Sequence, residues 1–220
     1  MSKEYSLIFI GAGGHAKVLL DTLNLLGIAV SGICDPLQPA SGGLSRLRWY
    51  ADDNAVLHFN PSATRVVNAI GSTRDTSKRS FIYRKFKNSG FHFISVIHPT
   101  SSVSHLDTEI GGGLQALAGS VINASVTIGE NVLVNTHAVI EHDCTIGSHT
   151  HVASGAIICG GCLLGENVHV GAGAVIKQGI TIGSGSVIAA GAVVIEDVKP
   201  NSLLAGVPAT VKRVLPRNSD

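Results

Sequence analysis

A run of hexads between Ile110 and Val194 constrains this 220-residue chain more than any other feature. Every sixth residue across that run is a large aliphatic in fourteen of fifteen cases, Ala116 being the exception, and the register never slips. An amphipathic helix repeats every 3.6 residues and a half-buried strand every second residue, so neither explains a period of six. The pattern predicts a solenoid. Each hexad makes one short strand and a corner, three hexads close a triangular coil, and the sixth-place aliphatic points to the axis. Two places earlier the column holds small or β-branched residues such as Ser120, Ala138, Cys144, Ala156, Cys162 and Ala174, as a crowded inward corner requires. Gly111, Gly129, Gly147, Gly165, Gly171 and Gly183 follow the aliphatic, where the expectation is a corner conformation that a Cβ would oppose. Counted from Ile110, the run amounts to about four to five coils.

The rest of the chain has a different texture, and its length allows two modest domains. Charged residues are only 14%, which suits a solenoid built of small side chains, and a net charge of +1 offers nothing to attract nucleic acid or an anionic membrane. Four cysteines do not make a disulfide framework, because Cys144 and Cys162 fall in the inward column and Cys34 lies in the other half. Cys159-Gly-Gly-Cys162 has a metal-type spacing but no second pair, so no metal is expected. The start enters a strand without a cationic, apolar leader, and no apolar run reaches membrane-spanning length. A cytoplasmic protein is the expectation.

Ser6 to Ile10 reads as a buried strand that runs into Gly11-Ala12-Gly13-Gly14-His15-Ala16, followed by Val18 to Leu23 at helical spacing. Such a turn lets backbone N–H groups at a helix N-terminus approach a phosphate, and the helix dipole adds partial positive charge there. Ile28 to Cys34 reads as a second strand ending at Asp35, about twenty residues beyond the glycines, where an acid bonds a ribose hydroxyl or simply turns the chain before Pro36. Residues 36–61 read as irregular. A further strand spans Arg65 to Ile70, closed by Gly71-Ser72-Thr73. Arg74 to Asn88 reads as an amphipathic helix with Phe81, Ile82 and Phe86 on its buried side and Lys78, Arg79, Lys85 and Lys87 solvated. Phe91 to Ile97 reads as the last strand before His98-Pro99. The expected division is an α/β, Rossmann-like nucleotide-binding domain over 1–98, a solenoid over 99–198 and a cap over 199–220. The first is too short for the six-strand sheet that holds a full nicotinamide dinucleotide, which argues against hydride transfer.

Chemistry is expected on the outward column that contains His142, which is otherwise mostly small or polar. Residues eighteen apart stack on successive coils, so His142 has Gly160 beside it, an imidazole next to backbone without a side chain. Glu141 and Asp143 flank it, and either carboxylate could fix its tautomer and raise its basicity, as a general base requires. His151 and His169 also lie eighteen apart.

The glycine turn, the strand ending in Asp35, Ala69-Ile70-Gly71, Ile97-His98-Pro99, the hexads, Ile140-Glu141-His142-Asp143-Cys144 and Gly206-Val207-Pro208-Ala209 together resemble the PglD/NeuD family of sugar O/N-acyltransferases. Those enzymes include acetyltransferases of UDP-4-amino-4,6-dideoxy sugars and sialic acid O-acetyltransferases. The resemblance implies that the solenoid is a left-handed parallel β-helix, that the protein is a homotrimer, and that acetyl-CoA lies between neighbouring solenoids. It implies direct acetyl transfer to the amine of a UDP-linked amino sugar, with His142 as general base and Asp143 behind it. It further implies that Gly13, Gly14, His15, Asp35, Pro36 and Gly71 hold the nucleotide sugar, and that His151, Gly160, Ala172, Ala190 and Pro208 contact acetyl-CoA. Where family members often carry Asn after Gly71, this chain has Ser72-Thr73.

Two rival classes share the solenoid. His137 and His142 lie five apart, like the two-histidine segment of the zinc-dependent γ-class carbonic anhydrases, but no histidine stands between Leu106 and Thr136 to supply a third ligand. A non-enzymatic scaffold would leave Glu141-His142-Asp143 and the glycine turn unexplained.

Overall fold

The computed structural model describes residues 5–73 and 76–216. The first four residues of the chain's start, residues 74 and 75 of the expected helix and the last four residues of the tail lie outside the described residues. Five parallel strands open the fold: β1 (Ser6–Ile10), β2 (Gly32–Cys34), β3 (Arg48–Tyr50), β4 (Thr64–Asn68) and β5 (His92–Phe93), in the order β3-β2-β1-β4-β5. Helix α1 (Gly14–Leu25) crosses from β1 to β2, α2 (Asp53–Leu57) from β3 to β4, and α3 (Ser77–Asn88) from β4 to β5. Central β1 is buried on both faces through Leu7, Ile8, Phe9 and Ile10, as a continuous apolar run with helices on both sides demands.

Three expectations for this half are corrected. The segment 36–61 is not irregular throughout, since it holds β3 and α2, the latter N-capped by Asp52, whose carboxylate accepts from the Ala55 N–H at 3.0 Å. The expected strand from Phe91 to Ile97 is two strands, because Ile94 and Ser95 turn the chain from the α/β sheet onto the solenoid. Helix α3 buries Ile82 and Phe86 as expected, but departs from the expected facing at two positions: Phe81 is 64% exposed and Arg79 is 1% exposed. Arg79 is buried because backbone carbonyls and a glutamine from elsewhere in the fold accept its hydrogen bonds, partners that a helical period cannot reveal.

The solenoid has three flat faces. Its first face stacks β6 (Val96–Ile97) under Gln115–Ala116, Leu133–Val134, His151–Val152, His169–Val170 and Val187–Ile188, and ends in an antiparallel hairpin of Ser202–Gly206 and Ala209–Val214 that covers the open end. The second runs from Ser102–Val103 to Val193–Val194 and the third from Glu109–Ile110 to Thr181–Ile182, with Val198 bridging to Ile182. Successive pairs such as Ile122 with Ile140 and Ile140 with Ile158 stand eighteen residues apart, as the period predicts. Val103, however, pairs with Ile122 and Ile97 with Ala116, nineteen apart. One extra residue between Val103 and Ile110 hides the first coil from a six-residue count, so the solenoid has about six coils rather than four to five.

The glycine expectation is corrected as well. Left-handed backbone falls on a different column: every sixth residue from Asp107 to Gly191 has positive φ, supplied by Gly, Asn, Asp, Ser or His. Gly111 and its equivalents after the aliphatic are excluded from bearing side chains by the neighbouring coil. A Cβ on Gly111 would lie 2.6 Å from the Gly129 carbonyl carbon, and one on Gly171 would lie 2.5 Å from the Ala190 nitrogen.

The sixth-place aliphatics and the small column make one core, including Ile122, Ile140, Ile158, Ile176, Cys144 and Cys162. Each large aliphatic withdrawn from water contributes about 1.5–3 kcal/mol. The α/β domain docks on the first face, where Leu117, Leu133 and Val96 share a core with Leu7, Phe9, Ala16 and Leu19.

Candidate active site

A cavity of about 530 Å³ lies where the α/β domain meets the first face. Its floor is the turn between β1 and α1, and Asp35, Ile70, Gly71, Ser72, Asn135 and His151 complete it. Gly11 has φ +108°, and an added Cβ there would sit 2.8 Å from the Ile70 side chain, so this position demands glycine. At Gly13 and Gly14 a Cβ would meet nothing within 4 Å, because that side faces the cavity. Asp35 shapes the turn: its Oδ2 accepts from the Ala12 N–H at 2.9 Å and its Oδ1 from the Leu37 N–H at 3.0 Å. The structure therefore gathers Gly13, Gly14, His15, Asp35 and Gly71 in one cavity and adds His151 to it. Pro36 and Pro208 are exposed and line neither this cavity nor the groove beside it.

That groove continues the cavity along the solenoid. About 340 Å³ in volume, it is lined by Ala172, Ala190, Ser154 and Gly171, and shares Ser72, Asn135 and His151 with the cavity.

Beneath the cavity is a polar network that sequence reasoning missed. Arg79 Nη1 donates to the carbonyls of Asn68 (3.0 Å) and Ile70 (2.8 Å), and its Nη2 donates to Gln115 Oε1 (3.0 Å). Asn68 Nδ2 donates to Asn131 Oδ1 at 3.0 Å, and Asn131 Nδ2 meets His149 Nδ1 at 3.0 Å. No carboxylate pairs with Arg79 among the described residues, and burial pulls its guanidinium down to about 9. Burial likewise lowers His15 to about 4, with the Arg79 charge adding to it, and lowers His149 to about 4. The one sequence signal was the outward column of the first face, where Gln115 and His151 stand at positions that solvent would otherwise reach.

His142 is in a different place and a different environment. It sits on the edge between the second and third faces, opposite the first face that carries the cavity, and its side chain is exposed. Asp143, the left-handed corner residue with φ 61°, presents Oδ2 at 2.6 Å from His142 Nδ1. That hydrogen bond, with the nearby charges of Asp143 and Glu141, raises the imidazole above its ordinary value. Glu141 itself is engaged elsewhere, accepting from Asn123 Nδ2 at 2.7 Å. Gly160 packs against the ring: an added Cβ would come within 2.8 Å of His142 Nε2. Of the residues expected to contact acetyl-CoA, Gly160 thus stands with His142, whereas His151, Ala172 and Ala190 stand together on and beside the first face. His137 lies over Gly119 on the preceding coil and does not join His142. Cys144 and Cys162 are buried in the solenoid and donate to the carbonyls of Cys159 and Lys177. The neighbouring Cys162 sulfur and then burial push the Cys144 thiol up, away from nucleophilic use.

Comparison with known proteins agrees with this architecture. Residues 6–86 match the PglD N-terminal domain, and residues 125–160 and 161–196 match the bacterial transferase hexapeptide of six repeats. No curated protein matches the chain by sequence. Among solved structures, a mutant perosamine N-acetyltransferase from Caulobacter crescentus in complex with CoA and GDP-perosamine is 34% identical, with a TM-score of 0.87 over 94% of this chain and 97% of that one. The acetyltransferase domain of PglB from Neisseria gonorrhoeae in complex with acetyl coenzyme A is 30% identical, with a TM-score of 0.85 over 94% and 99%. WeeI from Acinetobacter baumannii AYE, at 21% identity and a TM-score of 0.83 over 94% and 99%, shares the fold.

A left-handed β-helix of hexads joined to a glycine-turn α/β domain is the architecture of an acyltransferase. Within that class the chain belongs to the PglD/NeuD-type sugar acyltransferases.

Proposed function

We propose that this protein transfers an acetyl group from acetyl-CoA to the amine of a nucleotide-linked 4-amino-4,6-dideoxy sugar for surface-glycan synthesis. The observation that carries this reading is one chain holding both a glycine-turn cavity suited to a diphosphate and an Asp-held histidine packed against bare glycine backbone. The first turn of α1 offers free N–H groups and partial positive charge to the diphosphate. The sugar amine attacks the thioester carbonyl, a C–N bond forms and the C–S bond breaks. His142 takes the amine proton at Nε2 and returns it to the departing thiolate, while Asp143 holds the ring and stabilises its charged form. The Gly160 N–H, which has no partner among the described residues, is the donor for the developing oxyanion. Nothing in this sequence of steps needs an acyl-enzyme or a metal.

In one chain the cavity and His142 lie on opposite sides of the solenoid, so a second copy must bring its histidine to the first copy's cavity. A homotrimer, with acetyl-CoA between neighbouring solenoids in the groove past His151, Ala172 and Ala190, meets that need. No helix among the described residues is long and apolar enough to cross a membrane. We place the reaction in the cytoplasm, where both substrates are made.

The uridine carrier expected from the sequence has a rival, because the perosamine N-acetyltransferase complex holds a guanosine-linked sugar. Calorimetric titration with UDP, GDP and acetyl-CoA separately, with Gly14→Trp as control, decides between them. Binding of acetyl-CoA and one nucleotide, the nucleotide alone being lost in Gly14→Trp, is the expected result. Binding of acetyl-CoA without either nucleotide would end the nucleotide-sugar reading in favour of a free sugar such as sialic acid.

A further inference from the structure

Two hydrogen-bond chains end in the cavity, and each is anchored at a group whose donor or acceptor character is not negotiable. The first begins at a backbone amide. The Thr136 N–H donates to Asn135 Oδ1 at 2.8 Å, which fixes the orientation of that amide and turns Asn135 Nδ2 toward His151 Nε2 at 3.2 Å. Since Nδ2 can only donate, His151 Nε2 accepts and carries no proton. The proton of the neutral ring is therefore on Nδ1, 2.6 Å from Ser72 Oγ. Burial, then the neighbouring His169 and Arg79, keep the ring from holding a second proton. Ser72 Oγ is thus the acceptor in that contact, and no other partner for it exists among the described residues. Its own proton is left to point at whatever occupies the cavity or the groove, both of which it lines.

The second chain has the opposite sense. Gln115 Nε2 donates to the Asn68 carbonyl at 2.8 Å, and Gln115 Oε1 accepts from Arg79 at 3.0 Å, so the orientation of this amide is also fixed. His15 Nε2, 2.7 Å from the same Oε1, must then be a donor. His15 is held neutral by burial and by the Arg79 charge, so its other ring nitrogen is bare. That Nδ1 has no partner among the described residues, and His15 lines the cavity.

We propose that the cavity's hydrogen-bond polarity is set before any ligand arrives: Ser72 is a committed donor and His15 a committed acceptor. Its ligand carries an acceptor oxygen at Ser72, which we assign to the diphosphate, and an O–H or N–H at His15, which we assign to a sugar or ribose. The ligand's identity rests on the nucleotide-sugar reading, whereas the polarity does not. Asn135 and Gln115 act as positioning residues through the two histidines.

Nitrogen-15 NMR of the histidine rings in the full-length, ligand-free protein at neutral pH tests the polarity directly. His15 is expected with its proton on Nε2 and His151 with its proton on Nδ1; the reverse in either ring, or an imidazolium, overturns the inference. Ser72→Ala is expected to weaken binding of the nucleoside diphosphate, UDP or GDP, about tenfold, and Ser72→Thr, which keeps the hydroxyl, to restore it. Wild-type nucleotide affinity in Ser72→Ala would overturn the donor assignment. Failure of the wild-type protein to bind either nucleotide, with both tautomers as stated, would instead overturn the nucleotide-sugar reading and leave the polarity standing.

Discussion

His142 and His15 are the same residue type held in opposite environments by two regions of the molecule. His142 stands exposed on an edge of the solenoid beside Asp143, and its affinity for a proton is raised. His15 lies where the α/β domain meets the first face, beside the Arg79 charge, and its affinity is lowered to about 4. The proposed base must take a proton during turnover and give it back, and it stands where a carboxylate stabilises the charged ring. The proposed recognition group must keep one tautomer throughout, and its enclosure among fixed amides provides that. In this molecule the residue type sets the repertoire and the surroundings choose from it.

The most severe way to break this contrast is to remove the proposed base. His142→Ala is expected to lower turnover by roughly 10³-fold with the fold intact, because the side chain is exposed and supports no core. Steady-state kinetics with circular dichroism check it, and near-normal turnover would strike His142 from the mechanism. On the buried side, Arg79→Ala should cost about 3 kcal/mol of stability, since it leaves the Asn68 and Ile70 carbonyls and one Gln115 acceptor without their donor. Urea unfolding measures this, and an unchanged midpoint would show that the network contributes nothing to docking.

Asp143→Asn sharpens the comparison from the other direction. The base works only when unprotonated, and Asp143 keeps the proton on His142 to higher pH. Its loss should therefore move the acidic limb of the rate profile to lower pH and lower the plateau by about tenfold, as a less basic and less well-held imidazole would. A limb that stays in place would assign the effect to Glu141 instead. The smallest effect concerns pH and stability. His15 and His149 are neutral in the fold down to about 4, but in the unfolded chain they bind protons below their ordinary value of 6.5. The unfolded state thus holds more protons in that window, and stability falls as pH drops from 6.5 toward about 4. Melting curves across that range should show the fall in the wild type and equally in His142→Ala; a fall confined to the wild type would transfer the effect to the exposed edge.

The amino-acid sequence alone determined the solenoid, its eighteen-residue stacking, the glycine turn and the closeness of His142 to Gly160. These are local or periodic properties: a six-residue repeat fixes which residues stack, and a turn without Cβ atoms is readable where it stands. Only the tertiary structure decided that Asp143 rather than Glu141 holds His142, because Asn123 on another coil occupies Glu141. It also placed Arg79 in the interior, put the first coil ahead of the visible repeat, and separated the cavity from the histidine edge within one chain. Each of these depends on partners brought from distant parts of the sequence, such as Gln115 against Arg79 or Asn135 against His151. Periodicity reports the direction a side chain points, and the docked domain determines what it meets there.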